Sequence, residues 1–261
     1  KVFFAEWRKL RRPTLFFGTF IAALFFNGLI TSFVYLMIDS PDGNADRGRS
    51  VGRDVLGLAS GSVNGFASIG GLLGIIALCV FAAQSAQEYT YGTLRNLLVR
   101  QPSRMKILIG KLISMKMFAV VMVTISALLA LGLSFVFAGV MDVSTTAWAT
   151  TEARSAVAQG FVNVLIATIG FGIFGMILGL LFRSPISAIS IGVIWNLIIE
   201  GLLSVFVSDL SRYFPGQLLT VVADGGTDEI SYQYALFTSY GFLVAGLLIV
   251  AVLFKKRDVA N

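Results

Sequence analysis

Long uncharged apolar runs recur along this chain, and few folds accommodate them. Thr14–Ile38 carries no charge over about 25 residues, enough for a helix to cross a hydrocarbon core of ~30 Å. Backbone in lipid has no water to bond to, so such a run must satisfy its amides internally, as a helix does. Five further runs follow, at about 61–84, 107–140, 157–182, 186–207 and 234–254. The expected fold is an all-α membrane protein, one transmembrane domain over 1–261 with six transmembrane helices. The first run is too long for the apolar core of a cleavable signal, and no small-x-small cleavage site with a soluble remainder follows it.

Composition agrees: only 13% of residues are charged, where a soluble domain has about a quarter. The chain has no histidine, and Cys79 is its single cysteine. That excludes an internal disulfide and removes the usual zinc ligand and general base. No metal-ligand cluster is visible.

Charge is distributed unevenly between the runs. Residues 1–12 set Phe3, Trp7 and Leu10 at helical spacing against Glu6, Arg8, Lys9, Arg11 and Arg12. They read as an amphipathic helix in the headgroup plane over 1–13, or as a plain polybasic flank; Pro13 ends it in either case. With six spans both termini share a side, and that side collects fifteen of the twenty lysines and arginines. The positive-inside rule makes it cytoplasmic, so nucleic acid is not needed to explain the net charge of +6. Residues 39–56 read as a polar loop. The glycines at 57, 61, 65, 70 and 74 read either as a close-packing ladder or as a flexible lead into the second span. Lys111 and Lys116 are expected to snorkel from the third span to the interface. Arg183-Ser-Pro185 reads as a tight turn between the fourth and fifth spans, and Tyr213-Phe-Pro and Leu218–Ala223 are apolar enough to dip back toward the interface before the last span.

Between the second and third spans lies a polar, basic island, residues 85–106. Ser85-Ala-Gln-Glu88 has the form of a capping box and predicts a fresh helix over 85–102, with Leu94, Leu97 and Leu98 on one side and Pro102 as its stop. Ser103 is then placed to cap the third span. A surface-lying amphipathic helix between two spans suits a groove on a soluble partner; an ordinary capped interfacial turn is the plainer alternative.

Glu88 followed by Gly92-Thr93-Leu94-Arg95, then Pro102-Ser103-Arg104 and Gly110-Lys111, resembles the type-2 permease family of ATP-binding-cassette (ABC) transporters. Bacitracin-export and copper-maturation permeases belong to that family. The resemblance covers nearly the whole chain and is most specific at 88–111. It implies that 85–102 is a cytoplasmic coupling helix and that Glu88, Gly92, Thr93 and Arg95 contact the ATPase. Tyr89 and Tyr91 would be anchors there or would sit in the headgroup layer, and Glu88 could equally be a structural cap. The implied outer segment before the last span is partly re-entrant.

The further implications are an exporter of an antibiotic, peptide, drug or lipid-like substrate, relevant to drug or antibiotic resistance, in a bacterial plasma membrane. It would work by alternating access as a homodimer over two copies of a soluble ABC ATPase. This chain would hold no cofactor and be no enzyme itself; ATP and magnesium would sit on the partner. In keeping, Gly110-Lys111 lacks the first glycine and the hydroxyl of a P-loop, with Met105 and Leu112 in their places.

Among polar residues inside the spans, Glu200 stands out, because a carboxylate in the bilayer costs a few kcal/mol. With Asn196 one turn away it either lines a substrate path or is hydrogen-bonded to neighbouring helices near the outer end of its span. Asn27 and Asn163 are weaker substrate-path candidates and fit interhelical hydrogen bonds better. An ion-coupled carrier using Glu200 is the alternative function. An intramembrane enzyme is the remote one, since no histidine is available to it.

Overall fold

The computed structural model describes residues 2–38, 52–206 and 212–256, apart from the side chains of Arg95, Arg100, Val205 and Lys256. Every regular element among them is helical. Six helices are long and apolar enough to cross a membrane: Pro13–Leu36, Gly61–Thr90, Arg104–Val140, Thr151–Phe182, Pro185–Ser204 and Tyr232–Lys255. The protein is a multi-pass, all-α membrane protein. Arg47, Arg49 and most of the 39–56 loop lie outside the described residues.

In chain order, α1 (Val2–Leu10) leads across Pro13 into α2 (Pro13–Leu36). A single turn, α3 (Arg53–Leu56), and α4 (Gly61–Ser68) precede α5 (Gly70–Thr90). The chain bends at Ile69 between α4 and α5. Short α6 (Thr93–Arg100) then leads to α7 (Arg104–Val140) and α8 (Thr151–Phe182). Next come α9 (Pro185–Val193), a π-helical segment (Ile194–Glu200) and α10 (Gly201–Phe206). The chain closes with α11 (Pro215–Asp224) and α12 (Tyr232–Lys256).

The helix starts follow local chemistry. Ser103 Oγ accepts from the Lys106 amide and caps α7, as its position after Pro102 predicted. Thr150 and Ser184 cap α8 and α9 in the same way. Arg183, at φ 56°, closes α8 in the left-handed region, forming the tight turn expected at Arg183-Ser-Pro185.

Helix α8 is the axis of the bundle: 72% of its most apolar window is buried, against 17% for α12. Its broadest partner is α5, and their approach is backbone-close. A Cβ on Gly175 would come within 2.1 Å of the Leu78 carbonyl, and one on Gly179 within 2.5 Å of the Ala82 carbonyl. The four-residue spacing repeats on both helices, which is small-residue packing of membrane helices. Ladder residue Gly74 faces the Phe171 ring in the same contact. Gly65, Gly70 and Gly74 thus pack against Thr31, Ala223 and Phe171 of other helices, whereas Gly57 and Gly61 lie closest to the Arg53 and Leu56 carbonyls of their own lead-in.

Helices α2, α4 and α7 pack on one side of this pair, and α11 with α12 on the other. At the end away from the island, Trp148 donates to the Leu56 carbonyl at 3.0 Å and closes a small apolar cap with Tyr35 and Val143. Of four phenylalanines on α2, Phe16 and Phe20 stack at 4.3 Å and meet Phe118, whereas Phe17 and Phe25 are exposed on the outer face of the helix.

Overpacking a well-filled contact typically costs 1–3 kcal/mol. Gly175→Leu should therefore lower the thermal unfolding midpoint in detergent by roughly 5 °C or more. Gly132→Ala, on the same bundle but with open space at its Cβ, should leave the midpoint unchanged. Reaction of the half-buried Cys79 with a thiol dye reads both melts.

Candidate functional site

The basic island does not begin a helix at Ser85. Helix α5 continues unbroken through it to Thr90, and the buried Ser85 hydroxyl has no hydrogen-bond partner among the described residues. The capping box is not formed, because in mid-helix the amides it would serve already bond to the preceding turn. The break falls at Gly92, whose φ of 63° glycine adopts without strain. An added Cβ there meets nothing within 4 Å, so within this chain the glycine serves the turn and not a close approach. Helix α6 is shorter than the expected 85–102 and presents Leu94, which is buried, and Leu98 to the core.

Beneath this turn lies an ion quartet. Lys9 Nζ donates to Glu6 Oε1 and Glu88 Oε1, both at 2.6 Å. Lys111 Nζ donates to Glu6 Oε2 at 2.7 Å, Glu88 Oε1 at 3.0 Å and the Gln84 carbonyl at 3.2 Å. Lys111 is 2% exposed, so it does not snorkel: two carboxylates and a carbonyl hold it inside. Lys116, one turn further on, is exposed as expected. The quartet fastens α1 to both spans that flank the island. A Cβ on Gly110 would strike Val2, so α1 also seats tightly on α7.

Burial works to push the Glu6 carboxyl up, but Lys111 and Lys9 outweigh it and hold it below the usual carboxylate value. For Lys9, burial pulls the ammonium down while Glu88 and Glu6 raise it, with a net rise. In sequence Glu6 and Lys9 read only as parts of a polar helix face and Lys111 as a snorkelling lysine; that the three meet was not foreseen.

Other predicted residues sit around this turn. Gly92, Thr93 and Tyr91 are exposed, Tyr91 by 70%. Tyr89 lies half-buried under the Arg183 guanidinium, 5.3 Å from its ring centre, so the α8–α9 turn abuts the same place. Glu88 is buried and committed to two lysines. The Arg95 side chain lies outside the described residues. A cleft of about 220 Å³ opens here, lined by Lys9 of α1 and Arg12 at the start of α2 together with Gln87, Tyr91, Thr93 and Asn96. The last turn of α12 shares this end, since Arg104 donates to the Phe254 carbonyl at 2.6 Å.

The candidates inside the membrane form a second, separate arrangement. Glu200, fully buried at the end of the π segment, accepts from Trp195 Nε1 at 2.7 Å and from the Gly216 and Gln217 amides at 3.3 and 2.8 Å. Those amides are the first turn of α11, so Glu200 caps that helix from another span. Asn196 is packed against the same turn; a Cβ on Gly216 would lie 1.8 Å from its Nδ2. Asn163 meets the other end of α11, at Gly225 (φ 83°). Asn27 stands apart, donating to the Ser126 carbonyl at 2.6 Å and joining α2 to α7. Three of the four polar candidates thus frame one short helix, whose buried face is Leu218, Leu219, Val222 and Ala223. The apolar stretch expected at 218–223 is this helix, packed on α8 and α12.

Fold and polar groups define a polytopic membrane protein with an anchored polar turn at one end. The chain belongs to the family described as protein of unknown function (DUF2705), whose profile matches residues 21–260. Among curated proteins, none matches it.

Removing one member of a buried ion cluster costs about 3–5 kcal/mol, chiefly through the partners left charged. Lys111→Met should therefore lower the thermal midpoint sharply, and adding Glu6→Gln with Glu88→Gln should recover at least half of the loss. The depressed Glu6 carboxyl contributes stability above the ordinary carboxylate value, lost as pH falls through its folded value. The raised Lys9 contributes stability below the ordinary lysine value, lost as pH rises through its folded value. Melts across pH should show a plateau between these limits, with a weaker acid fall in Glu6→Gln.

At the second arrangement, Gly216→Ala should destabilise at least as much as Glu200→Gln. Both should speed amide exchange across Gln217–Thr220, while exchange in α8 stays slow.

Proposed function

We propose that the protein is the transmembrane permease subunit of an ATP-driven ABC exporter, and that α6 with the Tyr91-Gly92-Thr93 turn is its coupling element. The single observation that carries this is the anchored turn: an exposed polar segment between two spans, with a buried ion quartet directly beneath it. A loop of no mechanical importance gains nothing from a buried lysine, whereas a point that receives force needs fixing to the helices it moves. The sequence likeness at Glu88, Gly92–Arg95 and Pro102–Arg104 supports the same reading.

On this reading the island, α1 and the end of α12 face the cytoplasm of a bacterial cell, and α1 lies along the membrane surface. Helix α11 is the partly re-entrant outer segment. Two copies of a soluble ABC ATPase dock under a permease homodimer, and ATP with magnesium is held by those partners. Glu88 acts from below, holding Lys9 and Lys111, while Tyr91, Thr93 and the cleft beside them offer the partner contact. The cargo is an antibiotic, peptide, drug or lipid-like molecule.

An ion-coupled carrier centred on Glu200 is the competing function. Glu200 already accepts three N–H groups, which suits a structural anchor better than a carboxylate that must release its partners each cycle.

On the exporter reading a P-loop ATPase is expected to be encoded beside the gene, and co-expression with it decides between them. The two should co-purify, and Thr93→Arg, at an exposed position that leaves the quartet intact, should cut coupled ATPase activity at least tenfold with an unchanged melt. Undiminished coupling in Thr93→Arg, or pH-driven transport by the isolated subunit that Glu200→Gln abolishes, would overturn the exporter reading.

A further inference from the structure

A cavity of about 410 Å³ lies between α4, α7 and α8, toward the end of the bundle opposite the basic island. That volume is ligand-sized. Its walls are apolar: Val63 and Phe66 from α4, Ala127 and Leu131 from α7, Val157 and Phe161 from α8. Thr124 is the one hydroxyl on the wall, and it is spent on the Val120 carbonyl at 2.7 Å. The floor is tight, since a Cβ on Gly160 would come within 2.5 Å of Val63 Cγ1. Leu128 and Val162 line the rim and are exposed, so the cavity opens sideways, where the bundle meets lipid.

One lining residue is charged. Arg154 sits in the first turn of α8, exposed, and its guanidinium makes no ion pair or hydrogen bond among the described residues. No carboxylate lines the cavity. Glu152, two positions away on the helix, does not face Arg154.

We propose that this cavity binds an anionic phospholipid from the leaflet opposite the island, with an acyl chain between α7 and α8 and its phosphate on Arg154. A guanidinium pairs two-pronged with phosphate oxygens, and an arginine at the membrane boundary is where a headgroup lies. From Arg154 to Val162 the helix rises about 12 Å, against about 15 Å for half the hydrocarbon core. A water-soluble anion would gain nothing from walls that offer no donor or acceptor. A zwitterionic headgroup brings its own cation to the phosphate and gains less from Arg154. The proposal does not depend on the ATPase partner.

Native mass spectrometry of the full chain, purified in detergent and given dioleoyl phosphatidylglycerol, dioleoyl phosphatidylcholine or inorganic phosphate, tests it. The wild type should retain phosphatidylglycerol at least fivefold over phosphatidylcholine, and phosphate should not compete. Arg154→Gln, which removes the cation, and Ala158→Trp, which fills the cavity, should each cut that retention at least fivefold. Arg154→Gln alters an exposed side chain, so its melt should match the wild type even where the tryptophan is not tolerated. Equal retention of the two lipids, competition by phosphate, or phosphatidylglycerol binding unchanged in Arg154→Gln or in a folded Ala158→Trp would overturn it.

Discussion

A lysine ammonium shut away from water must be answered by charge, and at Lys111 that requirement sets the geometry of one whole end of the protein. An isolated ammonium in so dry a place would cost several kcal/mol, so Glu6, Glu88 and the Gln84 carbonyl must all be present. Glu6 comes from α1, which is therefore fixed in place and not merely resting on a surface. Glu88 comes from the last turns of α5, which must stay helical past Ser85 to deliver it. Lys9 neutralises the second negative charge, and the cluster closes with two cations against two anions. Buried ion pairs contribute little net stability compared with apolar packing, but they penalise every arrangement in which a partner is misplaced. The quartet specifies position.

A second polar knot works by the same logic in another part of the bundle. Helix α11 begins inside the structure, where its first amides have no water to bond, and Glu200 supplies the acceptor from the π segment. The π geometry brings Trp195, Asn196 and Glu200 to one place, and only glycine fits at 216 against them. Between the two knots the bundle is held by shape: α5 and α8 approach until backbone meets backbone at Gly175 and Gly179.

Span positions were legible because lipid imposes its own length and polarity, and the six helices end within six residues of the apolar runs. Ser103 and Arg183 were legible because a cap or a turn is a local event. The capping box was misread because its residue types are equally at home in mid-helix, and only the continuation of α5 decides. The quartet was hidden for a different reason. Glu6, Glu88 and Lys111 are far apart in sequence, and a lysine at the head of an apolar helix has the same local appearance whether it snorkels or turns inward. Glu200 was singled out correctly as a residue that needs partners, but two of its three are backbone amides of α11, which no side-chain pattern announces, while Asn196 is buried beside them with its Nδ2 unpartnered among the described residues.

How the two knots are placed bears on how force would travel through the bundle. Work applied at Tyr91–Thr93 meets α5, α7 and α1 already joined through the quartet, and α8 is locked to α5 by backbone-close packing. These helices would move as one body. Helix α12 is covered least, and the Pro185–Ser204 span leaves most of its surface free, with a π segment interrupting its regular hydrogen bonding. The α9 part of that span nonetheless packs on α5 and α8, where a Cβ on Gly192 would lie 2.7 Å from Leu78, and α11 ties in through Glu200 at one end and Asn163 at the other. Under the proposed function, the buried carboxylate is then a joint between the moving body and the outer segment. That explains why a group so costly to bury is spent on backbone amides and not on cargo.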